Sequence, residues 1–234
     1  MSIRLYFFLV PLLWTPQVRV PGPGGEGSIS IGQPALKQAI CSAGTSSAVN
    51  MTGTNFFVGS VVGGGGTGLP GDSSGNTWAS LTGGGSGNYT QLFYVQNPTV
   101  TAAQTFNPGS TGGTTFCVLA FSNMATSGVY EAGTVNNNFT ASGGTTATPG
   151  STTPLSSVNV IVTAIGNSSS GVAASSIGSG FTLPAAAIYP GNSNWGNAIA
   201  YSIQTGTASQ NPIWTMNGIA LYGWQATIAS FVGQ

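Results

Sequence analysis

Charge is what this sequence has least of. Of its 234 residues, three are Lys or Arg and three are Asp or Glu. That is 3% charged, against roughly a quarter in an ordinary soluble domain. The six are Arg4, Arg19, Glu26, Lys37, Asp72 and Glu131, so from Gln38 onward only two charges remain. A net charge of zero leaves no field to steer the chain toward nucleic acid or an anionic membrane. Histidine is absent altogether. Without it, serine or cysteine nucleophiles lack their usual general base, and metal sites lack their commonest ligand.

These absences decide how the stretch GDSSGNTW, residues 71–78, is read. Gly71-Asp72-Ser73-Ser74-Gly75 fits the G-x-S-x-G pattern of a nucleophile elbow. No histidine can activate Ser73, and the only lysine, Lys37, stands at the end of an N-terminal arm. An elbow also leads from a strand into a helix. Here Thr77–Leu81 alternates like a strand. The expectation is therefore a polar turn, with Asp, Ser, Gly and Asn as turn formers.

Other chemistries fail on the same scarcity. Glycoside hydrolysis needs a carboxylate pair, and only Asp72 and Glu131 are available in the body. Both are read as capping turns or accepting backbone N–H groups. Gly63–Gly66 has no following Lys and is no phosphate loop. Hard metals need several oxygens, so no metal site is expected; a weak calcium site at Asp72, using Asn and carbonyl ligands, is the one arrangement left open. No cofactor is implied. Cys41 and Cys117, the only cysteines, sit in apolar runs. They pair if their strands are neighbours, and buried free thiols fit the sequence as well.

What is present is apolar and hydroxyl-rich. Hydrophobic residues make up 41% and mean hydropathy is +0.23, with eleven Phe, seven Tyr and five Trp to bury. That argues against disorder. The surface must consist of Ser, Thr, Asn, Gln and Gly. Residues 1–27 read as an apolar arm, Leu5-Tyr6-Phe7-Phe8-Leu9-Val10 with Leu12-Leu13-Trp14, followed by a Pro/Gly linker. The run is too short to span a bilayer and lacks a good cleavage site, so an uncleaved arm is expected. It suits strand addition to a partner, or one more strand of its own domain.

From Ser28 on, short β-favouring runs alternate with Gly/Ser/Asn/Thr loops. Strands are expected at Ser28–Ile31, Gln38–Ser42, Asn55–Val62, Thr77–Leu81, Gln91–Gln96, Thr99–Ala103, Thr114–Ser122, Val158–Ile165, Gly180–Leu183, Ala198–Gln204, Ile213–Met216 and Ile219–Ser230. No helical period and no internal repeat is visible. The fold class is all-β: residues 28–234 as a single β-sandwich, jelly-roll-like, with an extended N-terminal arm. Trp214 and Trp224 lie in strand-like runs and are read as core. Trp195, in the loop Pro190–Asn197, is the candidate ligand contact, with Asn194 and Asn197 beside it.

The order of motifs carries a resemblance. Asn55–Gly63 is followed by DSSGNTW, the strand Gln91–Gln96, CVLAFS (117–122), Pro149–Pro154, Val158–Ile165, GSGFT (178–182), AYSIQT (200–205), NPIWT (211–215) and the closing IASF (228–231). Over about residues 35–232 this resembles a group of β-sandwich modules in tailed-phage virion proteins and bacterial surface or secreted proteins. The resemblance implies a non-enzymatic structural or adhesive module and carries over no catalytic residue. The expectation is a bacteriophage virion protein, a capsid decoration or tail/fibre accessory subunit, assembled in the host cytoplasm. Its arm would dock on major capsid or tail proteins, in many copies on a lattice or as a homo-oligomer, without nucleic acid or a membrane span. The alternative is a carbohydrate-binding or adhesive module that takes a host surface glycan.

Overall fold

The computed structural model describes residues 32–63, 68–81, 90–109, 115–140, 144–167, 172–191, 195–219 and 223–234. The arm residues Leu5 to Trp14, Asn194 and the expected strand Ser28–Ile31 lie outside them. Residues from Ile31 to Gln234 make one compact unit. In chain order its strands are β1 (Ala35–Ala43), β2 (Phe56–Val62), β3 (Gly71–Asp72), β4 (Ala79–Ser80), β5 (Thr90–Gln96), β6 (Phe106–Asn107), β7 (Thr115–Ser122), β8 (Asn136–Thr140), β9 (Thr146–Ala147), β10 (Val158–Asn167), β11 (Ala174–Ile177), β12 (Ile188–Tyr189), β13 (Gly196–Thr205), β14 (Trp214–Met216) and β15 (Trp224–Val232). A 3-10 turn, Ala185–Ala187, precedes β12.

The first half of the chain forms an antiparallel sheet β1-β7-β2-β5-β4, and the second half forms β12-β13-β10-β15-β8. The two sheets pack face to face. Phe56, Val58, Leu92, Leu119 and Phe121 from one meet Val160, Val162, Ile199, Ala229 and Phe231 from the other. Each sheet is also covered on its outer face. The β3-β6 pair, Met51 and Trp78 cover Phe57, Val61 and Phe116. The β11-β14-β9 sheet and Phe181 cover the second sheet. Burial on both faces explains why β2 and β7 are buried at every position and read as continuous apolar runs. A sheet wetted on one face would alternate instead.

The two halves repeat one topology. Read from the same edge, β1-β7-β2-β5 corresponds to β8-β15-β10-β13, and the outer pair β3-β6 to β11-β14. Registers agree as well. Val58 stands opposite Tyr94 and Leu119, as Val162 stands opposite Tyr201 and Ala229. Ala79 pairs with Tyr94 as Thr182 pairs with Tyr201. The reciprocal bridge Val49–Gln104 matches Thr152–Gln210. Within each half the chain shuttles between inner sheet and outer layer in the manner of a jelly roll. The all-β, sandwich-like expectation holds, and the sandwich contains two halves of similar topology.

Equivalent sites exchange volume to fill the same space. In the first half Gly59 leaves room for the Phe116 ring, into which an added Cβ would run. Its counterpart is Thr163, and the counterpart of Phe116 is the small Ala226, by the registers above. There Trp214 Nε1 donates to Thr163 Oγ1 at 3.1 Å. Close packing requires the pair of sites, not each residue, to conserve volume.

Strand expectations fail where tertiary pairing decides. Thr99–Ala103 is a loop, and Gly180–Leu183 supplies only the single bridge Thr182–Tyr201. Ile219–Ser230 begins at Trp224 among the described residues. The edge strand β8, with Asn136, Asn137 and Asn138, was not anticipated; asparagine disfavours strands, and pairing with β15 overrides it.

Candidate functional sites

The GDSSGNTW stretch is a turn knotted around one carboxylate. Asp72 Oδ1 accepts from Ser74 N at 2.9 Å, Asn76 Nδ2 at 3.0 Å, Gln104 Nε2 at 3.1 Å and, more distantly, Asn76 N at 3.5 Å. Oδ2 accepts from Trp78 Nε1 at 3.0 Å. Gly75 closes the turn at φ +70, where a side chain is disfavoured. Ser73 Oγ accepts from Thr105 N at 3.0 Å, so the hydroxyl that mimics a nucleophile ties the turn to the chain before β6. N–H donors occupy both Asp72 oxygens, which argues against the weak calcium site that the sequence left open there.

The second half shows what that carboxylate is for. By register, Phe181 takes the place of Trp78, packing with Ile161 and Ile228 as Trp78 packs with Phe57. Phenylalanine has no N–H to satisfy, and residues 172–191, which carry Phe181, contain no Asp or Glu. The acid goes with the indole donor.

The loop site is only partly assembled. Trp195 is half-buried immediately before β13. Asn197, expected beside it as a ligand contact, is instead internal, 2% exposed on β13. Its Oδ1 accepts from Ser60 Oγ at 3.0 Å, while its Nδ2 donates to Ser60 O at 2.8 Å and Thr115 O at 3.4 Å. These bonds cross from one half to the other. Their mate across the repeat is Thr90, which donates from N to Gln225 Oε1 at 2.9 Å and from Oγ1 to Gln225 O at 3.2 Å. A buried polar strand residue needs a partner, and here the partner lies 137 positions away, out of reach of any local reading.

Cys41 and Cys117 stand directly opposite each other on β1 and β7, Cα atoms 4.0 Å apart, and are bridged. Trp214 and Trp224 are buried as expected. Tyr130, packed on Tyr94 and Phe231, has its phenol pushed above the ordinary tyrosine value, chiefly by desolvation. Among the described residues no group of three or more His, Cys, Asp or Glu comes together, and no helix is long and apolar enough to cross a membrane.

Comparison with protein-family models, with curated proteins and with solved structures finds no match to this chain.

Proposed function

We propose that this protein is a non-enzymatic structural component of a bacteriophage virion, a capsid decoration or tail/fibre accessory subunit, that docks through its N-terminal arm. One observation carries the reading: the residues of the catalysis-like GDSSGNTW stretch are consumed in building two sparsely charged sandwich halves. Asp72 and Ser73 hold a turn, and Glu131 is buried. Jelly rolls recur in viral capsid and lectin domains, which supports the reading by analogy of fold. A neutral, hydroxyl-rich surface lets many copies lie side by side without mutual repulsion.

The test compares full-length chain with chain lacking residues 1–27, each added to particles stripped of the protein. The full chain is expected to sediment with particles and the truncated chain to remain free. Equal binding by both would sink the docking role. The adhesive reading is weakened by the loss of Asn197 to the interior. It would be revived by glycan binding that Trp195→Ala abolishes.

A further inference from the structure

The end of the second sheet holds a row of buried oxygens with nothing to bind. Tyr130 bridges Phe231, which puts the next residue, Glu131, opposite Ser230; Glu131 N donates to Ser230 O at 3.2 Å. Directly opposed residues of an antiparallel pair project to the same face. On β10, Ile161 stands opposite Ser230, and Asn159 lies two residues along on that same outer face. Glu131, Ser230 and Asn159 are therefore neighbours on three adjoining segments, 4%, 0% and 0% exposed. Each has one buried oxygen without a hydrogen-bond partner: Glu131 Oε2, Ser230 Oγ and Asn159 Oδ1.

The remaining polar atoms are committed. Leu155 N donates to Glu131 Oε1 at 3.1 Å. Asn159 Nδ2 donates to Ser156 O and Gly206 O at 2.9 and 3.0 Å. The segment 155–157 thus lies over the row, and its backbone fixes the carboxylate and the amide. The repeat sharpens the contrast. By register the counterpart of Asn159 is Asn55, whose Oδ1 accepts from Met124 N at 3.2 Å and whose Nδ2 donates to Met124 O at 2.8 Å. Asn159 has no such donor for its oxygen.

Charge makes the arrangement more demanding. Lys37 is the one basic residue among those described, and it is exposed on β1 of the other sheet. A buried carboxylate without a cationic partner is costly. A carboxylate, an amide carbonyl and a hydroxyl are all hard oxygen donors, the set that calcium takes, with water and backbone carbonyls completing its coordination.

We propose that Glu131, Ser230 and Asn159 form a calcium site that pins segment 155–157 to the end of the second sheet. The test uses the full chain after chelator treatment, with terbium as a luminescent stand-in for calcium and Tyr130, next in sequence to Glu131, as the sensitising ring. Saturable terbium luminescence that calcium competes away is expected, together with a rise in melting temperature on adding calcium. Glu131→Gln keeps the shape and removes the charge, and should weaken terbium binding by about tenfold or more. Ser230→Ala, a smaller change, should weaken it while leaving the fold intact, and decides the matter if Glu131→Gln does not fold. Terbium binding unchanged in either folded variant would overturn the site. So would a native melting temperature indifferent to calcium and chelator, which would leave a polar pocket filled by water.

Discussion

A single side chain can look catalytic and be architectural, and Asp72 shows how to tell the two apart. A working base or nucleophile needs a free lone pair facing a substrate, and a general acid a proton to give it. Both Asp72 oxygens instead face donors, including Trp78 Nε1, whose ring seals the outer core of the first half. Replacing Asp72 by Ala strands those donors, and hydrogen bonds to a charged acceptor are worth about 1.5–3 kcal/mol each net. Partial exposure lets water repair some of the loss. We expect Asp72→Ala to cost about 3 kcal/mol in urea unfolding, and Ser73→Ala only about 1 kcal/mol. A larger penalty for Ser73→Ala than for Asp72→Ala would contradict this account. The turn was legible in the sequence because its partners are mostly local. Asn197 was not, because its neighbours in sequence say loop while its partners, Ser60 and Thr115, come from the other half.

Among the elements, legibility followed length and composition. The long strands β2, β7 and β10 were readable because burial on both faces favours long runs of apolar, largely β-branched and aromatic residues. The two-residue strands and β8 exist only because a neighbour is there to pair with them. The disulfide belongs to this scale. Sequence alone left two free thiols as good a reading; register made the difference by setting Cys41 against Cys117. The bridge ties the edge strand β1 to its neighbour β7 and closes a loop with a separation of 76 residues. Chain-entropy arguments give about 4 kcal/mol for a loop of that size. The double variant Cys41→Ser with Cys117→Ser should lose about that amount against the oxidised chain in denaturant titration. A loss below about 1 kcal/mol would mean that packing alone holds β1 in place.

The molecule as a whole is a topological duplication that its sequence conceals. Equivalent positions carry Gly59 and Thr163, Phe116 and Ala226, or Trp78 and Phe181, so the residue-by-residue repeat is faint, kept at pairs such as Val58 and Val162 or Tyr94 and Tyr201, whereas order and register are plain. The reason is physical: packing constrains the volume of a cluster and the satisfaction of its polar groups, and many residue sets meet both demands. Each half owns an outer core, around Trp78 and Phe106 in one and around Trp214 and Trp224 in the other, but the inner core is shared. Separating the halves would expose Phe56, Phe121, Val160, Ile199 and Phe231 and strand the Asn197 and Thr90 bonds. Among the described residues, neither half offers another surface on which to bury that face. Unfolding should therefore be a single transition in calorimetry, with van't Hoff and calorimetric enthalpies equal, although many chains of two modules unfold in steps. Trp78→Ala and Phe181→Ala sit in the separate outer cores, and losing a buried aromatic costs about 3–5 kcal/mol. Each should lower the one common melting temperature and leave the transition undivided. Two resolved transitions, with each variant shifting only its own, would mean that the shared core is too weak to couple the halves, and that the chain is two domains in contact.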